Sequence, residues 1–319
     1  MTDIKTYVES KLNHVQRITK IKGEASTRNF FRIVRDTHSL VAMVYPESPN
    51  ALSEIRRILH LTSVYREHAI RVPEIKDVLD DRILLQEDLG DVLAQRVFYA
   101  KGFGDPKNVL LETADILLKL KAIPVCHTAS TLDQARMKWE MDFFITHFAT
   151  PYLPIAQTPD GRSDLQAYLY TLVDRIHPID TFAHRDFHSR NMLLHPDNGR
   201  LYLVDFQDSL VASPYYDLVS FAFDSYLDLN SRRAFLLDTL RERGMKIDSD
   251  LLYAAALQRN IKALGTFGFQ VGVRKNLSYK KYIPRTLRHI RSNPLLEKGF
   301  DIFDIFDIFN RVLYNKNLP

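Results

Sequence analysis

The residues of this chain best suited to chemistry lie in His184-Arg185-Asp186-Phe187-His188-Ser189-Arg190-Asn191, followed by Asp205-Phe206-Gln207-Asp208. Their types suit phosphoryl transfer to an alcohol. That reaction needs a carboxylate to accept or orient the hydroxyl proton and hard oxygen ligands to hold Mg²⁺ against the phosphates. It also needs fixed positive charge to offset the charge that develops. Asp186 sits just before the apolar segment Met192-Leu193-Leu194, Asn191 opens that segment, and Asp205 ends its partner, Leu201-Tyr202-Leu203-Val204. The turn Pro196-Asp197-Asn198-Gly199 between the two predicts a hairpin. Such a hairpin brings Asn191 and Asp205 to one ion and leaves Asp186 one loop away, facing the acceptor.

The elements that must position these residues change character along the chain. Ile4, Val8, Leu12 and Val15 share one stripe, which predicts a helix over the first twenty residues. Arg28 to Val34 and Leu40 to Tyr45 are rich in aromatic and β-branched residues, and Asp36-Thr37-His38 between them suits a turn, so an antiparallel hairpin is expected. A helix from Leu52 to Glu67 follows. A strand over Asp81–Gln86 then closes at Glu87-Asp88-Leu89-Gly90-Asp91. Beyond residue 91 helices are expected near 106–122, 135–148, 163–176, 215–229, 232–243, 248–264 and 280–291. The fold class is therefore α+β. A small sheet-rich lobe, residues 1–90, precedes a larger helical lobe, residues 91–319, with a hinge around 87–91.

Bulk composition excludes several classes. The chain has 319 residues, enough for two lobes, with ordinary values of 45% hydrophobic and 26% charged residues. Its net charge of +4 is dispersed without any block of Lys/Arg, which argues against a nucleic-acid partner. The single cysteine, Cys126, rules out an internal disulfide or a cysteine-based zinc site and reads as a small buried apolar residue. The N-terminus lacks the apolar stretch of a signal peptide, and no run is long and apolar enough to span a membrane. A cytoplasmic, soluble protein is expected. The Phe-Asp-Ile repeat over Phe300–Ile308 reads as a buried terminal helix.

His-Arg-Asp, the Asn five positions after the Asp, and the later Asp-Phe pair resemble the catalytic and metal motifs of the protein-kinase-like fold. The form His-x-Asp-Phe-His-x-x-Asn is similar to that of the aminoglycoside phosphotransferase family. The resemblance implies a two-lobed kinase-like fold that uses ATP and Mg²⁺, with Asp186 as base and Asn191 and Asp205 as metal ligands. His184 and Asp217, in Tyr215-Tyr216-Asp217-Leu218, become structural braces of the catalytic loop. Leu85-Gln86-Glu87-Asp88-Leu89-Gly90 resembles that family's hinge, whose backbone at Glu87 and Leu89 would meet adenine. Eleven residues separate Asp205 from Asp217, which leaves no room for the peptide platform of protein kinases, so a small-molecule acceptor is expected.

A narrower likeness runs from about residue 20 to 290. Gly23-Glu24-Ala25-Ser26-Thr27-Arg28, Phe31-Arg32, Val41-Ala42-Met43, Asp205-Phe206-Gln207-Asp208, Gln258 to Gly265 and Tyr282-Ile283-Pro284-Arg285 are similar to the anomeric kinases of N-acetylmuramate and N-acetylglucosamine. That likeness implies phosphorylation of the anomeric hydroxyl of an amino sugar in cell-wall sugar recycling. Met43 stands near the place of the kinase third-strand lysine, so the phosphate charge must be met otherwise, and Arg28 and Arg32 are the candidates. Glu54 on the next helix is a candidate to orient one of them. For the acceptor, Asp208 and Glu140 suit sugar hydroxyls. Arg259 and Lys262, one turn apart on a helix face, suit a substrate carboxylate. Trp139 is a stacking surface or core. Two other readings stay open: a kinase of an aminoglycoside or choline-like alcohol, and a nucleotide-binding pseudokinase that regulates.

Overall fold

The computed structural model describes residues 4–12, 15–21, 28–36 and 38–296. The Phe-Asp-Ile repeat, the Gly23 loop and Thr37 of the first turn lie outside the described residues. After a short helix α1 (Ile4–Ser10), three strands run antiparallel: β1 (Arg17–Ile21), β2 (Asn29–Val34) and β3 (Ser39–Val44). Helix α2 (Ala51–Glu67) follows, then the hairpin β4 (Ile75–Leu79) and β5 (Ile83–Glu87). The five strands form one sheet in the order β1-β2-β3-β5-β4.

Side-chain alternation explains how this sheet is held. Phe31, Ile33, Ala42, Val44, Ile83 and Leu85 point to one face and bury with Val8 and Ile18. Met43, Tyr45 and Leu84 point to the other face and pack with Ile55, Ile58 and Tyr65 of α2. The central strand β3 is therefore apolar on both faces and reads as a continuous hydrophobic run.

One expectation for this region needs correction. The N-terminal helical stripe stops at Ser10, and Arg17–Ile21 is a strand, because Ile18 buries against the sheet while its neighbours face out. The strand that Val72-Pro73 leads into and the strand expected over Asp81–Gln86 are found as the two arms of one hairpin, β4 and β5. Asp80 and Asp81 both take a left-handed backbone, φ 49° and 51°, a turn suited to joining two strands.

The remaining chain is mainly helical. It contains α3 (Gln95–Tyr99), α4 (Pro106–Ala122), α5 (Gln134–Phe144), the single turn α6 (Thr150–Tyr152), α7 (Pro159–Asp174), α8 (Tyr216–Ala222), α9 (Arg232–Glu242), α10 (Ser249–Gly272) and α11 (Ile283–Arg291). Aspartates cap α4, α5 and α10: Asp105 accepts from Lys107 N, Asp133 from Arg136 N and Asp248 from Leu251 N. Four short strands interrupt the helices as two antiparallel pairs. Strand β6 (Thr181–Ala183) pairs with β9 (Leu210–Ala212), and β7 (Met192–Leu194) pairs with β8 (Leu201–Leu203).

The helix expected over 215–229 ends at Ala222, because the Asp224 carboxylate accepts from Tyr226 N and turns the chain away. Cys126 is exposed rather than buried, since it lies in a short turn, Val125–His127, beyond α4. Among the described residues, no helix is long and apolar enough to cross a membrane.

Candidate active site

The two strand pairs hold the chemistry. The segment from His184 to Asn191 leaves β6 and enters β7, and the loop from Asp205 to Ser209 leaves β8 and enters β9. Gly199, with φ 63°, makes the turn between β7 and β8 that the Asn-Gly pair predicts. The expected hairpin is present, and it places Asn191 and Asp205 on the wall of one cleft with Asp186.

Asp217 of α8 and Asp224 just beyond it clamp the loop from His184 to Asn191 at two points. Asp217 Oδ2 accepts from His184 N at 2.6 Å and Oδ1 from Arg185 N at 3.1 Å. Seven residues on, Asp224 Oδ2 accepts from Ser189 N at 2.9 Å. Burial pushes both carboxyls up, Asp217 to about 7, against the backbone hydrogen bonds that favour their charged form. His184 is fully buried and its Nε2 donates to Val204 O at 3.1 Å, tying the catalytic loop to the end of β8. His184 and Asp217, expected as braces, make these contacts. Asp224 was missed, although its place one α8 length past Asp217 was a usable signal.

Two backbone sites are unusual. Arg185 has φ 78° and Asp205 φ 64°, the left-handed region that costs most residues energy and recurs at functional sites. Asp205 is half-exposed in the cleft, and one of its oxygens, Oδ1, accepts from Gln207 Nε2 at 2.7 Å. Asn191 Nδ2 donates to Asp186 O at 3.0 Å, which commits the amide nitrogen and leaves the carboxamide oxygen as its ligand atom. One carboxylate and one carboxamide oxygen form a hard donor set, incomplete without phosphate oxygens and water. Mg²⁺ beside a nucleotide is bound in that manner. No cluster of three or more His, Cys, Asp or Glu suited to a metal occurs among the described residues.

Positive charge surrounds Asp186. Lys262 Nζ, on α10, stands 4.0 Å from Asp186 Oδ1. Burial pushes the Asp186 carboxyl up, but Lys262, His188, Arg259 and Arg185 outweigh it and hold the group well below the usual carboxylate range. Arg259 Nε donates to Ser220 Oγ at 3.1 Å, and Arg185 NH1 lies 3.7 Å from Asp208 Oδ1. Glu140 is buried and accepts from Gln258 Nε2 at 2.9 Å. Asp208 lines the cleft, Lys262 is partly exposed beside Asp186, and Glu140 is buried. His188 is pushed down to about 3 by burial and is neutral at ordinary pH.

The cleft has a volume of about 780 Å³ and runs from this loop to the sheet. Arg28 reaches across it: NH2 lies 3.4 Å from Asp205 Oδ1 and NH1 3.7 Å from Met43 Sδ, beside the residue that replaces the third-strand lysine. Arg32 is engaged differently. Its Nε and NH2 bond Asp88 at 2.6 and 3.0 Å, and its NH1 and NH2 bond Asp91 at 2.7 and 2.9 Å. Arg32 therefore latches β2 to the segment after β5 instead of facing Asp205. Glu87 donates its backbone N–H to Glu74 O at 2.8 Å, whereas the Leu89 N–H has no partner among the described residues. Both residues line the cleft.

A further group escaped sequence reasoning. Ser209 links the metal loop to α2: its Oγ lies 2.9 Å from the buried Tyr65 Oη, and its carbonyl accepts from Arg57 NH2 at 3.1 Å. No motif marks Ser209, because the partners that tie it to α2, Arg57 and Tyr65, come from more than a hundred residues away. Trp139, expected as core or stacking surface, is 62% exposed and packs on Phe143 away from the cleft.

Residues 17–255 match the profile of APH, the phosphotransferase enzyme family. The chain belongs to this family. This phosphotransferase is 26% identical over 295 residues to an N-acetylmuramate/N-acetylglucosamine kinase of Neisseria meningitidis serogroup B, covering 86% of the chain and 84% of that protein. It is 25% identical to a protein of the same name from Caulobacter vibrioides, covering 84% and 85%. Its fold is that of choline kinase LicA from Streptococcus pneumoniae (TM-score 0.60, 14% identity, 91% and 98% of the two chains). The aminoglycoside phosphotransferase APH(4)-Ia, solved with ADP and hygromycin B, shares it too (TM-score 0.58, 16% identity, 92% and 99%). The expected α+β kinase-like fold is thereby borne out, as is the family.

Proposed function

We propose that this phosphotransferase moves the γ-phosphoryl group of ATP to the anomeric hydroxyl of an amino sugar, N-acetylmuramate or N-acetylglucosamine, in cell-wall sugar recycling. Asp186 orients the sugar hydroxyl and takes its proton. Asn191 and Asp205 hold Mg²⁺, which supplies charge neutralisation at the phosphates. Arg28 takes the place of the absent lysine toward the phosphates, and the segment from Glu87 to Leu89 receives the adenine edge. Asp208 serves the acceptor's hydroxyls, Glu140 holds Gln258 on α10, and Lys262 and Arg259 set the charge at the base.

The observation that carries the choice of acceptor is the excess of cations around Asp186, where Lys262, Arg259 and Arg185 all bear on one carboxylate. A cationic acceptor such as choline or an aminoglycoside gains less from a carboxylate already matched by cations than from an unpaired one. A neutral or acidic sugar needs no such carboxylate. The relatives named N-acetylmuramate/N-acetylglucosamine kinase support the same choice. A pseudokinase has no need of three cations and two acidic braces arranged about a base.

The test is incubation with Mg·ATP and a panel of N-acetylglucosamine, N-acetylmuramate, kanamycin and choline, following ADP release and locating the phosphate by ³¹P NMR. An anomeric sugar phosphate is expected. Turnover of choline or kanamycin alone would replace the acceptor, and tight nucleotide binding without turnover of any acceptor would favour the regulator.

A further inference from the structure

We propose that His188 is a specificity residue that meets a second hydroxyl of the acceptor, beside the one Asp186 orients, so that the site selects a polyhydroxylated acceptor over an isolated alcohol. The inference rests on the amino-sugar reading and deepens it. The loop alternates between cleft and core. Asp186 and His188 line the cleft, whereas Phe187 and Ser189, their neighbours, are fully buried. Phe187 packs on His184 and Phe221, with ring centres 6.0 and 6.2 Å away, and Ser189 N is held by Asp224. These two anchors fix the side of the loop on which His188 emerges.

The backbone of His188 is held as firmly. Its N–H donates to Asp186 O at 3.0 Å, and its carbonyl accepts from Asn191 N at 2.9 Å. The first bond closes a three-residue turn, which draws Asp186 and His188 closer together than an extended chain would. The ring is placed by packing instead. It meets Tyr226 edge-on, with ring centres 4.9 Å apart and planes at 67°. Its Nδ1 is buried and has no hydrogen-bond partner among the described residues. Leaving a buried polar atom unpaired is unfavourable, and native proteins keep few such atoms without a reason.

His184 shows what a structural histidine of the same loop looks like. Its Nδ1 is also unpaired, but its Nε2 donates to Val204 O, its ring is fully buried, and it does not line the cleft. His188 lines the cleft, and its ring makes no hydrogen bond to the protein among the described residues. A neutral imidazole offers one donor and one acceptor nitrogen, and a hydroxyl can satisfy either. Two polar side chains from one braced turn therefore suit two neighbouring hydroxyls of a sugar. An acceptor with a single hydroxyl would leave the imidazole unmet, and an unmade bond of this kind discriminates strongly.

The experiment pairs a change in the protein with a change in the sugar. Steady-state kcat and KM are measured for N-acetylglucosamine and for analogues that each lack one hydroxyl away from the anomeric carbon. The proteins are the native chain, H188F, which keeps a ring against Tyr226, and H188Q, which keeps a polar group. H188F is expected to lower kcat/KM for the parent sugar about 3- to 10-fold, the range for one neutral hydrogen bond. H188Q should lose less. For one analogue the native protein should show a similar loss, and H188F should add nothing to it, because the two changes remove the same contact. Thermal midpoint and KM for ATP should stay in place. Losses that add for every analogue, or a rise in KM for ATP without a change toward the sugar, would overturn the role of His188 while leaving the sugar-kinase reading intact. A native protein that phosphorylates none of these sugars would overturn both.

Discussion

Lys262 Nζ stands 4.0 Å from Asp186 Oδ1, so the proposed base of this phosphotransferase sits against a cation carried by a helix 76 positions further along the chain. The lysine stabilises the charged carboxylate and fixes where it points. Replacing it, as in Lys262→Met, raises the Asp186 pKa toward the usual range. The acid limb of the kcat/KM profile is then expected to move to higher pH, and kcat at neutral pH to fall about tenfold, or about 1.4 kcal/mol in the barrier. A profile that keeps its acid limb in place would remove Lys262 from control of the base.

Asp186 and Asp205 are expected to fail in different ways. Asp186→Ala should cut kcat by roughly 10²–10⁴-fold with nucleotide affinity nearly unchanged. Asp205→Ala should weaken Mg·ATP binding and also destabilise the loop, because φ 64° suits Asp or Asn better than Ala. Asp205→Asn separates these effects: it keeps the backbone and loses the charge. Nucleotide titration with and without Mg²⁺ reads the first effect and thermal denaturation the second.

The Arg32 latch makes a stability prediction with a built-in control. Asp88 is nearly buried, with 5% of its side chain exposed, while Asp91 is 73% exposed. Arg32→Gln leaves Asp88 with Ser39 Oγ and Gly90 N but without its charged partner, and should cost about 1.5–3 kcal/mol. Asp91→Asn should cost about 1 kcal/mol or less. Comparable losses from the two changes in urea unfolding would show that the latch does not depend on burial.

Acid should destabilise the protein from about pH 6.5 downward. Burial pushes His188 down to about 3 and His289 to about 4, and it lowers His184 as well. A depressed folded pKa means that these histidines take up protons on unfolding, so their contribution is complete above the unfolded value and is lost as pH falls. Asp217, raised to about 7, acts in the opposite sense: its contribution is present below its unfolded value and is lost as pH rises through about 7. Asp224, also raised by burial, acts in the same sense as Asp217. The three histidines outweigh the two carboxyls, and the net slope follows the histidines. Urea midpoints at pH 7.5, 6 and 5 should decline in that order, and His289→Gln should flatten the decline.

Helix α10 approaches α5 and the wide helical turn that follows it closely enough to require glycine. A Cβ on Gly265 would lie 2.8 Å from Phe144 Cα, and one on Gly268 would collide with the His147 carbonyl oxygen. Gly268→Ala should therefore destabilise by about 1–3 kcal/mol or more, despite the better helix propensity of Ala. Because α10 carries Lys262 and Arg259, the same change should lower kcat in the folded fraction; unfolding and activity measured on one sample test both.

What the sequence determined by itself was chemistry of short range. The spacing of Asp186, Asn191 and Asp205 around an Asn-Gly turn needed only a hairpin to become a site, and hairpins are local. The apolar run of β3 and the spacing along α4 were legible for the same reason. The tertiary structure decided what depends on partners far along the chain. Arg28 and Arg32 read as equals on one strand-rich segment, yet one meets Asp205 and the other is taken by Asp88 and Asp91. Arg259 and Lys262 read as a carboxylate site, yet one is bonded to Ser220 and the other bears on the base. The N-terminal stripe read as helix until Ile18 found the sheet, since a 3.6-residue period over so few positions is not distinct from alternation. A charged side chain is flexible and its energy depends on what it meets in low dielectric. Its role is therefore settled only when the fold brings its counter-charges into place.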